Sequence, residues 1–202
     1  MSITSSPSPA RISSIPEKRA ACTSRANCGN NTLFGDTGND RIVGQGHLDI
    51  PLNEKGIFQA EKASDEFKDV EIDLIYCSPL KRARSTAEII NKFHNVEIVI
   101  DDRLIELHMG SVQGKTINEC SAEELAVAFE NPEKNGGESL KELCERVVAV
   151  YEEVETLNKN VLIVAHGAVY RALYRYLNNI EGYALDTDTP PNATIIELKK
   201  TR

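Results

Sequence analysis

Apolar positions along most of the chain follow one of two periods, and the switches between them outline its elements. After Asn53, a favoured cap residue, Ile57, Ala60, Ala63 and Phe67 recur at helical spacing. Residues 72–76 (Ile-Asp-Leu-Ile-Tyr) read as a strand. Ser78-Pro79 then supplies a cap and a first-turn proline for a helix whose apolar positions are Leu80, Ala83, Ala87 and Ile90. Val96 to Ile100 is a second β-branched run, so this stretch reads as strand, helix, strand, a βαβ unit. Two Ser-x-x-Glu boxes, Ser121/Glu124 and Ser139/Glu142, mark later helix starts. The second opens a long helix with Leu140, Leu143, Val147, Val150, Val154 and Leu157 on one face. Residues 161–165 (Val-Leu-Ile-Val-Ala) form a continuous apolar run, the pattern of a central strand buried on both faces. A helix containing Leu173 and Leu177 follows, and Ala193 to Leu198 reads as the last strand. These elements predict an α/β fold with a mainly parallel sheet, and no internal repeat or second domain is visible.

Residues 1–31 differ from this pattern. No period of two or 3.6 can be traced there. Arg11, Lys18, Arg19 and Arg25 stand against the single acid Glu17, so the segment carries +3 and the rest of the chain −11. It is read as a disordered or atypical segment preceding a domain at 32–202. Three origins fit it: an organellar transit peptide, a tail without function, or a wrong start or shifted frame upstream of about Thr32. The third would also account for the altered motif at that boundary, described below.

Length and composition then narrow the class. A chain of 202 residues with 41% hydrophobic and 27% charged residues is that of one globular domain. No apolar stretch approaches the roughly 20 residues of a membrane span, so no membrane is expected as a partner. A formal charge of −8 argues against nucleic acid and requires any anionic ligand to be drawn by a local cationic pocket. Cys22, Cys28, Cys77, Cys120 and Cys144 show no paired spacing, which suggests reduced thiols and a cytoplasmic setting, organellar if residues 1–31 are a leader. Cys77 and Cys144 lie in apolar contexts and are read as buried and inert.

Two residues suggest chemistry from their placement. Arg82 falls in the first turn of a helix just beyond a strand, where free backbone N–H groups and the helix dipole favour an anion, and a guanidinium can grip two phosphate oxygens. Taken alone, a surface arginine is the commoner outcome, and Arg84, about 200° away around the helix, carries that reading. His166, in Ala165-His166-Gly167, ends the most buried strand, and ligands of open α/β sheets gather beyond such ends. Gly167 allows close backbone approach, while a structural role for His166 stands as the alternative. No Gly-rich phosphate loop or dinucleotide fingerprint is present, which disfavours a nucleotide-binding domain.

Taken in order, Gly44-Gln45-Gly46-His47-Leu48-Asp49-Ile50-Pro51-Leu52, Ser78-Pro79-Leu80-Lys81-Arg82-Ala83, Leu104-Ile105-Glu106 and Ala165-His166-Gly167 resemble the histidine phosphatase superfamily, the phosphoglycerate-mutase-like phosphatases. The resemblance covers roughly residues 35–198. It implies a three-layer sandwich with a mostly parallel central sheet and helices on both faces. It implies a phosphomonoesterase acting on a small phosphorylated substrate through a phosphohistidine, with no metal and no cofactor. By resemblance Glu106 is the proton donor to the leaving oxygen, His166 and Arg82 bind the phosphoryl group, and Gln45, Gly46, Thr37, Gly167 and Asn192 line the phosphate or substrate site. His108 is placed at the rim, Asp49 and Pro51 shape a turn, and Gly136-Gly137-Glu138-Ser139 matches a helix entry. Turn chemistry alone would also account for Asn192.

The family opens on Arg-His-Gly-x-Thr, whose His attacks phosphorus. The matching stretch here is Leu33-Phe34-Gly35-Asp36-Thr37. His47 belongs to a family position without a nucleophilic role. Two readings follow: a phosphomonoesterase whose given N-terminus is mis-assigned, or a non-catalytic member that binds a phosphorylated ligand or a protein partner. The short stretch between Glu106 and His166 favours phosphatase over mutase. Sugar phosphates, phosphoglycerate-like acids and nucleotide-loop phosphates all remain open, and a homodimer is compatible with the sequence.

Overall fold

Strand residues here face apolar side chains on both sides, which is what sets the layers. The structure, a computed structural model, describes residues 20–24, 44–185 and 193–198. In chain order the main elements are β1 (Ala20–Ser24), α1 (Glu54–Phe67), β2 (Leu74–Cys77), α2 (Lys81–Asn91), β3 (Ile98–Ile100), α3 (Ala122–Glu130), α4 (Leu140–Thr156), β4 (Val161–Val164), α5 (Gly167–Leu177) and β5 (Thr194–Glu197), with short 3-10 turns between β3 and α4. The sheet order is β3-β2-β4-β1-β5; β5 runs antiparallel to β1 and the other pairings are parallel. Leu74, Tyr76, Val161 and Ile163 pack with α4 and α5. Ile75, Cys77, Leu162 and Val164 point the other way, with Phe67 of α1 and Ala83, Ala87 and Ile90 of α2. That period-two alternation, apolar on both faces, makes three layers.

Local signals account for most boundaries. Asn53 Oδ1 accepts from Gly56 N–H at 2.9 Å to start α1, and both Ser-x-x-Glu boxes close reciprocally at α3 and α4. Burial holds the Cys77 thiol up at about 12 and raises that of Cys144, as expected of inert buried thiols.

The structure corrects three of the sequence expectations. Ile57 is 40% exposed; the buried face of α1 is Gly56, Ala60, Ala63, Ser64 and Phe67. Ser78 does not cap α2, which begins at Lys81. The Ser78 N–H extends the ladder to Val164 O at 3.0 Å, and the Lys81 N–H is capped by Asp49 Oδ1 at 2.7 Å, from 32 residues upstream. Lys81 Nζ also pairs with Asp49 Oδ2 at 3.2 Å, and these bonds to Lys81, the backbone one foremost, hold the Asp49 carboxyl below its usual range. Finally, Ala20–Ser24 lie within the segment read as preceding the domain, yet they pair with β4 and β5. No periodicity marks that strand because backbone pairing, which any sequence can offer, is what defines it. Thr32-Leu33-Phe34, Thr37 and Asn192 lie outside the described residues.

Candidate active site

The strand ends of β2 and β4 lie side by side, and the residues just past them meet. His166, at the cap position of α5 and 2% exposed, has Nε2 2.7 Å from Ser78 Oγ, itself fully buried. Burial, together with the neighbouring positive charges of Arg82 and Arg146 and with His47, holds His166 far below the ordinary imidazole value, so the ring is neutral at pH 7. An imidazole in that state offers one N–H donor without the cost of burying a charge.

Arg82, in the first turn of α2 and 2% exposed, donates Nη1–H to Leu48 O at 2.7 Å and Nη2–H to Gly46 O at 2.8 Å. A buried guanidinium needs such acceptors, and here a loop supplies them. Gly46 adopts φ +49°, and a Cβ there would run into the Gln113 side chain, so the position requires glycine. Gln45 contributes its carbonyl to the turn through Leu48 N–H at 2.9 Å, and its side chain is half-buried.

Glu106 reaches the first turn of α5. Its Oε1 accepts Leu107 N–H at 3.0 Å and Ala168 N–H, in the first turn of α5, at 3.1 Å. With Oε1 committed as acceptor twice, a proton on this carboxyl resides on Oε2. The backbone carbonyl of Glu106 is held as well, by His47 Nε2 at 2.7 Å and Arg146 Nη2 at 3.3 Å. Arg146 projects from α4, grips Glu138 through Nε (2.5 Å) and Nη2 (2.8 Å), and donates Nη1–H to Arg103 O at 2.5 Å. The segment carrying Glu106 is therefore fixed to α4, to α5 and to the Gly46 loop.

Of the residues named from sequence, Arg82, Glu106, His166, Gly167 and the Gln45–Gly46 loop converge through this hydrogen-bonded set. His108 sits beside it, its ring edge-on to His47 at 4.8 Å and its Nε2 3.2 Å from Gln113 Nε2. Sequence reasoning missed the supporting roles of Ser78, Gln113, Arg146 and Glu138. Ser78 and Glu138 lay in motifs, Ser78-Pro79-Leu80-Lys81-Arg82-Ala83 and Gly136-Gly137-Glu138-Ser139, that could have drawn attention to them; Gln113 and Arg146 lay in none. Among the described residues, no three His, Cys, Asp or Glu side chains form a metal-holding group, and no helix is long and apolar enough to cross a membrane.

The first turns of α2 and α5 follow the adjacent ends of β2 and β4, and with the buried Arg82 guanidinium they make an arrangement that can attract an anion to an acidic protein. The His166 ring also makes stability depend on pH. Below about pH 6.5 an unfolded imidazole takes up a proton that folded His166 refuses, so stability present above that value is lost as pH falls, by up to about 1.4 kcal/mol per pH unit. His47 and His94, both lowered mainly by burial, add in the same direction. Urea midpoints at pH 7.5 and 5.5 measure the slope, and His166→Asn is expected to flatten it; an unchanged slope would show that His166 titrates normally in the fold.

The sequence profile described as histidine phosphatase superfamily (branch 1) matches residues 35–202. A Bacillus subtilis protein named uncharacterized phosphatase PhoE is 40% identical over 131 residues, 64% of this chain and 65% of its own length. Putative phosphoserine phosphatase 2 of Hydrogenobacter thermophilus is 34% identical over 167 residues, 79% of this chain and 82% of its own. The chain spans 65% and 69% of the lengths of the Bacillus protein and of phosphoserine phosphatase 1 from Hydrogenobacter thermophilus. Among solved structures, a mycobacterial glucosyl-3-phosphoglycerate phosphatase in complex with VO3 superposes with a TM-score of 0.72 at 25% identity, covering 88% of this chain and 89% of that one.

Proposed function

The chain belongs to the histidine phosphatase superfamily, and from that premise we propose that it is a phosphomonoesterase acting on a small phosphorylated metabolite. The observation that carries this reading is Glu106, held through Oε1 by two backbone N–H groups, one of them in the first turn of the helix that His166 caps, and left with Oε2 to carry a proton. Arg82 and His166 stabilise the phosphoryl oxygens as charge moves onto them. As a water oxygen bonds to phosphorus, the phosphorus–oxygen bond to the leaving group breaks; its electron pair passes to the leaving oxygen, which takes the proton from Glu106 Oε2. The resulting carboxylate takes back the proton that the attacking water gives up, and inorganic phosphate is the second product. Relatives named for phosphoserine and for glucosyl-3-phosphoglycerate favour an alkyl phosphate as substrate.

A second reading, a non-catalytic member that binds a phosphorylated ligand, draws on Leu33-Phe34, which stand where the family's opening Arg-His would. Losing a covalent nucleophile removes the intermediate that divides the difficult step in two. Hydrolysis of p-nitrophenyl phosphate by the 202-residue chain, with His166→Ala as control, separates the readings. Turnover lost in the control supports the enzyme. Absent turnover with phosphate binding that depends on His166, read by calorimetry, supports the binder. Phosphate affinity unchanged in His166→Ala counts against the site itself.

A further inference from the structure

One side chain joins the two halves of the site, and it belongs to neither. The Gly46–Leu48 stretch gives its first and third carbonyls to Arg82, at 2.8 and 2.7 Å. The ring between them, His47, turns the other way and reaches the Glu106 carbonyl at 2.7 Å. Its backbone N–H is fixed by Gln113 Oε1 at 2.8 Å, which also accepts Met109 N–H at 3.3 Å, so the base of the ring is anchored independently of its tip. A carbonyl can only accept, so His47 Nε2 carries the proton and is not available as a nucleophile. The ring is half-buried, and burial lowers its affinity for a second proton; protonation would leave the Nε2–H donor in place.

We infer that His47 is a positioning residue that keeps the Glu106 carboxyl in register with the Arg82 guanidinium. The Glu106 carbonyl and its side chain leave the same residue, so a carbonyl free to swing takes the carboxyl with it. Arg146 holds that carbonyl at 3.3 Å, the longer of the two contacts, and the two together fix the peptide plane. Small misplacement of a catalytic group costs heavily: a shift of about 1 Å can lower turnover on the order of 10²-fold. The loss falls where a proton must be delivered, and not where the leaving group departs as a stable anion.

The inference rests on the phosphatase reading, and its test uses that distinction. His47→Ala and His47→Gln are compared with the wild type on β-glycerophosphate, whose alkoxide needs a proton, and on p-nitrophenyl phosphate, whose phenolate does not. In His47→Ala, kcat on β-glycerophosphate is expected to fall about 10- to 100-fold with little change in KM, while p-nitrophenyl phosphate turnover stays within about threefold. Glutamine, which keeps an N–H donor, is expected to restore the first. Equal losses on both substrates, or no rescue by glutamine, would overturn the assignment. If the wild type turns over neither substrate, the phosphatase reading fails separately, and amide exchange decides the positioning role. The Ala168 and Leu107 amides, which bond Glu106 Oε1, are then expected to exchange about tenfold faster in His47→Ala than in His47→Gln. Identical protection in both variants and the wild type would dismiss it.

Discussion

Glu106→Gln is expected to lower kcat on an alkyl phosphomonoester by about 10²–10⁴-fold, the range for losing a general acid. The substitution preserves the geometry: glutamine Oε1 can still accept the Leu107 and Ala168 N–H groups at 3.0 and 3.1 Å. What changes is the other end, where an amide replaces the oxygen that carries the proton. Phosphate binding is therefore retained, KM moves little, and p-nitrophenyl phosphate, which needs no acid, is spared by comparison. Steady-state kinetics on the two substrates measure the contrast. A uniform loss across leaving groups would mean that Glu106 orders the site and does not deliver a proton.

Arg82→Ala is the second large effect, and it acts on binding and folding together. Removing a guanidinium aimed at a developing phosphoryl charge costs on the order of 10²–10³-fold in turnover. The same deletion removes the bond to the Gly46 carbonyl at 2.8 Å and that to the Leu48 carbonyl at 2.7 Å, although Leu48 O keeps the Ile50 N–H at 3.0 Å. Leaving the buried Gly46 carbonyl unpaired costs about 1–3 kcal/mol, so a lower urea midpoint accompanies the weakened phosphate affinity. Lysine at this position keeps the charge but has no fork to span both carbonyls, and is expected to recover only part of either property. Calorimetric phosphate titration and urea unfolding of the two variants check the pair of effects. Wild-type phosphate affinity in Arg82→Ala would remove Arg82 from the site.

The parts of the fold legible in the sequence are those decided within a few residues. The Ser121/Glu124 and Ser139/Glu142 boxes close as read, and the unbroken apolar run at 161–165 is indeed buried on both faces. Where a distant group intervenes, local reading fails. Ser78 has the chemistry of a cap, but its hydroxyl meets His166, 88 residues away, and the Leu80 N–H at 3.4 Å, while Asp49 caps the helix that begins at Lys81. The site divides in the same way. Arg82 and His166 follow from the meeting of strand ends and helix starts, whereas Glu106 is one acid among many until the family pattern singles it out. His47 and Arg146 reach the Glu106 carbonyl through hydrogen bonds spanning 59 and 40 residues, which leave no periodic or compositional trace.

Asp49 closes the loop that holds Arg82 and also begins the helix that carries it. The loop and the first turn of α2 are consequently one cooperative unit: neither can open without giving up the bonds that stabilise the other. Their amides are expected to share a single opening free energy, and on the proposed function a phosphoryl group on Arg82 is expected to raise it for both at once. Ligand occupancy would then be written into the stability of a helix end, at residues that never touch the ligand.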